Sequence, residues 1–483
     1  MKTNVLYYGD NLEILRKYIP DECIDLIYLD PPFSSKRDYN VIFREPTGKQ
    51  PEAQIKAFED TWHWDRAAED TFQDIVLNGP PKVAKLIDAM CDGIGRNDVM
   101  AYLVMMTIRL LELRRVLKDT GSLYLHCDPT ASHYLKLVLD QVFGAKKFQN
   151  ELVWYYRGGG ASKRRFGRKH DTILFYTKGE EWPFNLDAVR MPYSTDVLES
   201  LPSRYDKSYR GAKVYSGYRP HPLGKIPDDV WPIQPIMPSD RKERLGYPTQ
   251  KPLALLERII GASSNEGDLV LDPFCGCGTA LVAAQKLNRR WIGIDITYLA
   301  IEVMQRRLTD SFPGIQFEVE GVPKDLPGAY ALKKKSTHQF ELWALGLVGA
   351  KPLGKRDGGV DGVIDFQEDA RNWARIAVQV KSGAVNPGQI RDLKGVIAGR
   401  NYAMGIFLTL EPPTSGMKEK AVEAGHYHHP FFNQDYPKVQ ILTIEELLLH
   451  GKKPDLPPRK AGFLPEAPKV VKPEGKQIAL QEL

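Results

Sequence analysis

The sequence predicts an α/β protein: an open, doubly wound, mostly parallel sheet interrupted by an irregular insertion, then a second and smaller α/β unit. Three observations lead there. Short apolar runs recur with helical patterns between them, several of those runs end in an aspartate, and the rhythm breaks twice, at 157–249 and at 321–335.

The strands come first. "CIDLIYLD" (23–30), "GSLYLHCD" (121–128), "DLVLDPF" (268–274) and "RWIGIDI" (290–296) are short and apolar, as buried parallel strands are. Between the first two, residues 99–119 repeat apolar side chains at three- and four-residue spacing and collect Arg114, Arg115 and Lys118 at the end, where a helix dipole favours cations. That pattern predicts an amphipathic helix. Ligands of such sheets sit at the carboxyl ends of the strands, so Asp30, Asp128, Asp272 and Asp295 are the first candidates for chemistry.

Residues 157–249 are dense in Gly, Pro, Tyr and basic side chains, which suits an irregular region better than another βα repeat. Their cluster Lys163, Arg164, Arg165, Arg168 and Lys169 has the chemistry of phosphate contact. "GVPKDLPGAYALKKK" (321–335) reads as a linker. Beyond it a helix near 336–348, strands near 360–366 and 374–381, and "AMGIFLTL" repeat the α/β pattern on a smaller scale through residue 450. "HYHH" at 426–429 reads as a loop, and the Pro- and Lys-rich residues 451–483 as a disordered tail.

A chain of 483 residues has room for two or three domains, and 42% hydrophobic with 26% charged residues excludes a mainly disordered one. A net charge of +5 permits a nucleic-acid partner without demanding it. Five cysteines argue against a disulfide framework and fit a reducing compartment. No secretory signal pattern is visible, and no run approaches the roughly 18 apolar residues of a membrane helix, so a cytoplasmic protein without membrane association is expected.

The chemistry concentrates in two stretches of the first unit. In "LDPFCGCGTALVAAQKL", Phe274, Gly276 and Gly278 form a tight strand-to-helix turn and Thr279 opens the helix, so backbone can approach a ligand closely. Leu281 stands where a dinucleotide fingerprint would need its third glycine, which argues against a nicotinamide-dependent oxidoreductase. Asp295, ending the next strand, is placed to accept from ribose hydroxyls. Cys275 and Cys277, a single C-x-C without a second ligand pair, read as packing residues rather than a zinc site.

In "DPPF", Pro31 and Pro32 fix φ and lack N–H groups, which leaves carbonyls available as acceptors beside the Asp30 carboxylate, and Phe33 adds an aromatic face. Such a corner suits a flat ring bearing an amino group. In the second unit, Asp361 falls on one strand, with Gln379 and Lys381 on one face of the next. An acid, a polar ligand and a lysine suit a Mg²⁺ ion that activates water against a phosphodiester.

Asp30-Pro31-Pro32-Phe33 and Phe274-Cys275-Gly276-Cys277-Gly278 resemble the (D/N/S)-P-P-(Y/F/W) and F-x-G-x-G motifs of the S-adenosylmethionine-dependent amino-methyltransferases of DNA, in the order of their β class. The resemblance covers 4–317 and includes "YYGDNLEIL", "GSLYLHCDPTASHYLKLVLDQVFG", "ELVWYYRGGG" and "GYPTQKPLALLERII". It implies a Rossmann-like methyltransferase domain over 1–320, with the target-recognition region at about 157–249. It also implies a base flipped from the duplex, its amine oriented by Asp30 and a backbone carbonyl. Asp10, Thr249, Lys251 and Asp272 would line or flank the cofactor pocket with Phe274, Gly276, Gly278 and Asp295. Aspartate before the prolines implies adenine rather than cytosine as target.

Asp361, Gln379, Lys381 and Glu341 resemble the Mrr-like branch of the PD-(D/E)XK nucleases over 335–449. That likeness implies a nuclease domain at 336–450 with Mg²⁺ held by Asp361 and Glu341. Gln379 carries one negative charge fewer than the usual acid, so a degenerate, non-cleaving DNA-binding domain stays open as the alternative. The expectation is a single-chain restriction–modification enzyme: a DNA methyltransferase joined to a type II-like endonuclease, acting on double-stranded DNA, with a homodimer permitted.

Overall fold

The computed structural model describes residues 1–32, 38–42, 54–59, 63–157, 164, 166–193, 221–237, 239–240, 243–247, 249–353, 359–369 and 372–458. Phe33, Lys163, Arg165 and the tail from 459 onward lie outside them.

Nine strands form one sheet: Val5–Tyr8 (β1), Ile24–Leu29 (β2), Leu117–Cys127 (β5), Phe148–Tyr155 (β6), His170–Thr177 (β7), Val230–Trp231 (β8), Leu269–Asp272 (β9), Arg290–Asp295 (β10) and Glu318–Glu320 (β11). Asp38–Ile42 (β3) and Gln54–Glu59 (β4) pair separately as an antiparallel hairpin. The order is β11-β1-β10-β9-β2-β5-β7-β6-β8. It is parallel from β11 to β5, after which β7 runs antiparallel to both β5 and β6. β9 and β2 are neighbours although some 240 residues of chain separate them. Their carboxyl ends therefore flank the crevice in which such sheets hold ligands.

Helices cover both faces, which explains why the strands read as continuous apolar runs. The helix Asp98–Val116 starts at an Asn97 cap that accepts from the N–H groups of Val99 and Met100. It ends before residue 119, because Leu117 turns extended and pairs with Ile24. Nor is it amphipathic: Tyr102, Val104, Met106 and Ile108 are all buried, because the helices Arg66–Asn78 and Pro81–Ile94 pack against it. On the opposite face of the sheet lie Leu253–Ser263, Thr279–Lys286 and Tyr298–Ser311.

The second sheet has the order β12-β13-β14-β15-β18, built from Lys351–Pro352 (β12), Gly362–Gln367 (β13), Trp373–Lys381 (β14), Met404–Thr409 (β15) and Val439–Thr443 (β18). The "HYHH" run is a strand and not a loop: His426–His429 (β16) pairs with Gln434–Pro437 (β17). Its His429 is buried, with Nε2 3.1 Å from the Gln367 carbonyl and the ring against Phe366 and Phe432. Packing of these rings outweighs the weak local propensity.

The stretch expected as a linker is largely the helix Leu326–Lys335. Asp325 caps it by accepting from the Gly328 N–H at 2.8 Å, Pro327 suits its first turn, and Ala329 and Leu332 are buried in the core of the second domain. The next helix, Thr337–Leu347, follows at once. Among the described residues no helix is long and apolar enough to cross a membrane.

Candidate active site

β9 delivers Asp272 to its tip, and the chain then turns sharply through residues 273–278. Gly276 and Gly278 take left-handed φ values of +50° and +73°. A Cβ on Gly278 would also come within 2.8 Å of Met304 Cγ, so the turn needs glycine there twice over. Arg307 fixes the same turn from behind, donating to the Cys277 carbonyl at 3.0 Å and to Thr279 Oγ1 at 2.9 Å. Cys275 and Cys277 are buried, and burial pushes both thiols up, as suits neutral packing groups.

Asp295 ends β10 beside this turn. One carboxylate oxygen accepts from the Gly276 N–H at 2.9 Å, and the other accepts from the N–H and hydroxyl of Thr297, both at 2.9 Å. The Ile296 backbone N–H adds a further hydrogen bond, so this carboxylate is held firmly at the cavity wall. Burial pushes this carboxyl up to about 6, against the pull of those bonds. Asp272 is buried more deeply and near Asp30 and Asp295; burial pushes it well above the carboxylate range, which favours its neutral form.

β2 delivers Asp30. Its carboxylate pairs with Lys251 Nζ, the two side chains being 15% and 10% exposed, and Lys251 also donates to the Thr249 carbonyl at 3.3 Å. Behind it His126, fully buried, has Nδ1 3.0 Å from the Tyr28 hydroxyl and 3.9 Å from Asp30 Oδ1, with Nε2 3.4 Å from Asp171. Tyr156 donates to Asp171 at 3.3 Å. Burial pushes the Asp171 carboxyl up, but the charges and hydrogen bonds of His126, Lys251 and Tyr156 outweigh it and hold it below its usual range.

Asp10 caps the helix Asn11–Tyr18, accepting from the Leu12 N–H at 2.8 Å, and forms an ion pair with Arg109 at 2.9 Å. Arg109 donates to Asn11 at 2.6 Å, and Asn11 in turn donates to the Pro273 carbonyl at 2.8 Å. This chain of bonds ties the N-terminal helix to the glycine turn.

These groups surround one cavity of about 1010 Å³, larger than most small-molecule sites. Asp10, Asp30, Pro31, Pro32, Thr249, Lys251, Asp272, Phe274, Gly276 and Asp295 all line it. Gly278 is not on the wall; it shapes the turn from outside. Asp128 is not on the wall either, being spent on the N–H groups of Thr130 and Ala131. Arg164 and Arg168 are exposed and Lys169 half-buried, away from the cavity wall. Sequence reasoning missed Arg109 and Tyr247, which line the cavity, and His126 and Asp171 behind Asp30. The sole local signal was a histidine two residues before the strand-ending Asp128.

The second domain offers less. Asp361 lies one residue before β13, and its Oδ2 accepts from the Val380 N–H at 2.7 Å. Burial pushes its carboxyl up, and the nearby charge of Glu341 adds to the effect. Gln379 donates to the Gly359 carbonyl at 2.9 Å, while its buried Oε1 has no hydrogen-bond partner. Lys381 follows two positions on, half-buried. That orphaned Oε1 would suit a cation, yet among the described residues no three His, Cys, Asp or Glu side chains come together to hold one. Mg²⁺ needs carboxylate charge and several oxygen donors, so Asp361 beside the Gln379 amide, with no cluster of three such side chains among the described residues, does not fit it.

Residues 24–306 match the family model described as DNA methylase, of the N6/N4 kind, and residues 344–448 match one described as NACHT-associated inactive Restriction Endonuclease 1. The type II methyltransferase M.HpaI of Haemophilus parainfluenzae is 35% identical over 263 residues, 53% of this chain and 76% of that protein. The DNA adenine methyltransferase YhdJ of Escherichia coli K12 is 31% identical over 311 residues, 64% of this chain and 83% of its own length. Among solved structures, a putative DNA modification methylase from Thermus thermophilus, complexed with S-adenosyl-L-methionine, is 17% identical. It covers 65% of this chain and 97% of that one, with a TM-score of 0.36.

Proposed function

The chain belongs to the N6/N4 DNA methylase family, and from that premise we propose that it methylates the exocyclic amine of adenine in double-stranded DNA. The observation that carries the reading is the Asp30 carboxylate, held against Lys251 on the wall of a cavity that also contains the glycine turn and Asp295.

When bound, S-adenosylmethionine supplies an electrophilic methyl group on a sulfonium. Asp295, at the end of β10 on the cavity wall, would accept from a ribose hydroxyl. The target base reaches Asp30 only when extruded from the helix, at a cost of about a few kcal/mol in unstacking. Asp30 then accepts from the amine and turns its lone pair toward the methyl group. As the N–C bond forms, the nitrogen becomes positive while the sulfur becomes neutral, and Asp30 stabilises that charge until the nitrogen releases a proton. Lys251 pairs with Asp30 on the cavity wall and balances its charge.

Adenine, rather than the cytosine amine, is favoured by the aspartate before Pro31 and by the adenine-specific name of the Escherichia coli relative. Arg164, Arg168 and Lys169, with Lys163 and Arg165 outside the described residues, would contact phosphates of the duplex. The C-terminal domain belongs to this reading as a non-cleaving module, in keeping with the inactive family that it matches. Incubation with methyl-labelled S-adenosylmethionine and unmethylated DNA, followed by nucleoside analysis, tests the proposal. Label in N6-methyladenine supports it; label in N4-methylcytosine overturns the choice of base, and no label overturns the reading itself.

A further inference from the structure

The cavity beside Asp30 is not closed by the methyltransferase sheet alone. About a third of its wall comes from residues 320–339, which run out of β11, through the helix Leu326–Lys335, and into the first turn of Thr337–Leu347. Lys335, His338 and Gln339 all stand on that wall.

Gln339 does more than face the space. Its Oε1 accepts from the backbone N–H of Tyr298 at 3.1 Å and from the Tyr8 hydroxyl at 3.4 Å. Tyr298 opens the helix that follows Asp295, so its N–H is one of the donors that a helix start leaves without a partner. The loop presenting Asp295 is thus tied at two successive residues: Thr297 to Asp295 itself, and Tyr298 to the second domain.

The surrounding contact is built to fit. The Tyr298 ring belongs to the same core as Phe340, Trp343 and Ala344, and packs edge-on against Tyr8 with centroids 6.3 Å apart. Gly346 has to be glycine for this, since a Cβ there would come within 2.7 Å of Tyr298 Cε1. Gly321, at φ +85°, lets the chain cross the Tyr8 carbonyl, which a Cβ would approach to 2.2 Å.

We propose that the C-terminal domain completes the cofactor pocket: Gln339 is a positioning residue for the loop that carries Asp295, and the 320–339 wall closes the end of the cavity where that carboxylate meets the adenosine of S-adenosylmethionine. The inference rests on the reading of this cavity as the cofactor site. It gives a domain that matches an inactive family a reason to be joined to the transferase, because cofactor occupancy and docking of the domain then stabilise each other.

Full-length Gln339→Ala and Gln339→Glu chains test it, the glutamate keeping an oxygen where the Tyr298 N–H needs an acceptor. Methyl transfer to unmethylated DNA is measured against S-adenosylmethionine concentration. For Gln339→Ala the KM for S-adenosylmethionine should rise by roughly 3- to 10-fold, the worth of a lost hydrogen bond, with kcat unchanged. Gln339→Glu should restore KM to within about twofold of the parent. In the unaltered chain, hydrogen exchange of the amides in Thr337–Leu347 should slow when S-adenosylmethionine saturates it. An unchanged KM in Gln339→Ala, a fall in kcat alone, or exchange indifferent to the cofactor overturns the inference while leaving the transferase standing. Failure of the unaltered chain to bind S-adenosylmethionine would instead remove the reading beneath it.

Discussion

Both domains place an aspartate at the end of a strand with a lysine near, and the surroundings of the two differ. Asp30 has its charge balanced by Lys251 and opens into a cavity shared with five other carboxylates. Asp361 spends an oxygen on the Val380 N–H, has its carboxyl pushed up by burial, and has a glutamine for its neighbour. A short motif specifies where side chains point. Whether the carboxylate is paired and reachable depends on what the rest of the fold brings to it.

The sharpest way to break that contrast is Asp30→Ala. Loss of the group that orients the amine and stabilises its charge should lower methyl transfer by roughly 10²- to 10³-fold, with S-adenosylmethionine still bound in a calorimetric titration. A variant that labels DNA at the parent rate would reduce the two aspartates to the same status.

Next comes Lys251→Ala. It strands the Asp30 charge in a pocket where both partners are mostly buried, so unfolding in urea should shift toward lower denaturant by roughly 3 kcal/mol, and transfer should fall with it. A stability equal to that of the parent would mean that the pair is a surface contact like many others.

A smaller effect concerns pH. Asp295 titrates at about 6 in the fold against 3.8 for the free group, so between those values the folded state holds a proton that the unfolded state has lost. Its contribution to stability is therefore present below the lower value and lost as pH rises through the upper one. On the proposed reading cofactor affinity runs the other way, because a ribose hydroxyl would donate to the ionised form. S-adenosylmethionine should bind roughly tenfold more weakly at pH 5 than at pH 8. Asp295→Asn should flatten that profile, and calorimetry across the range reads both results.

The least effect is expected from Asp361→Ala and Lys381→Ala. Neither should change methyl transfer by more than about twofold, and the parent chain should leave supercoiled DNA intact in the presence of Mg²⁺. Magnesium-dependent cutting that disappears in both variants would erase the contrast between the domains.

Much of the large sheet was legible, because a buried parallel strand has to be a continuous apolar run and a strand-ending aspartate marks its own place. The irregular turn at Gly276 and Gly278 was legible for a similar reason, since few residues but glycine take such φ angles. The helix over 98–116 misled by looking amphipathic, because its arginines sit at the end while the helices over 66–78 and 81–94 cover what should have been its wet face. The linker misled too: Pro327 and Gly328 look like punctuation, yet they occupy the first turn of a capped helix whose burial belongs to the second core.

What the sequence determined by itself was local: the acidic tips at Asp30, Asp272 and Asp295, the proline corner, the glycine turn, and a lysine two places after a glutamine. These follow from backbone stereochemistry and side-chain alternation, which act over a few residues. The tertiary structure alone decided the pairing of Asp30 with Lys251 across 221 positions, the Arg109 and His126 contacts behind the site, and the reach of Gln339 to Tyr298 from the second domain. Charge compensation and the satisfaction of buried donors are settled only when distant segments share one space, and no local pattern announces which segments those will be.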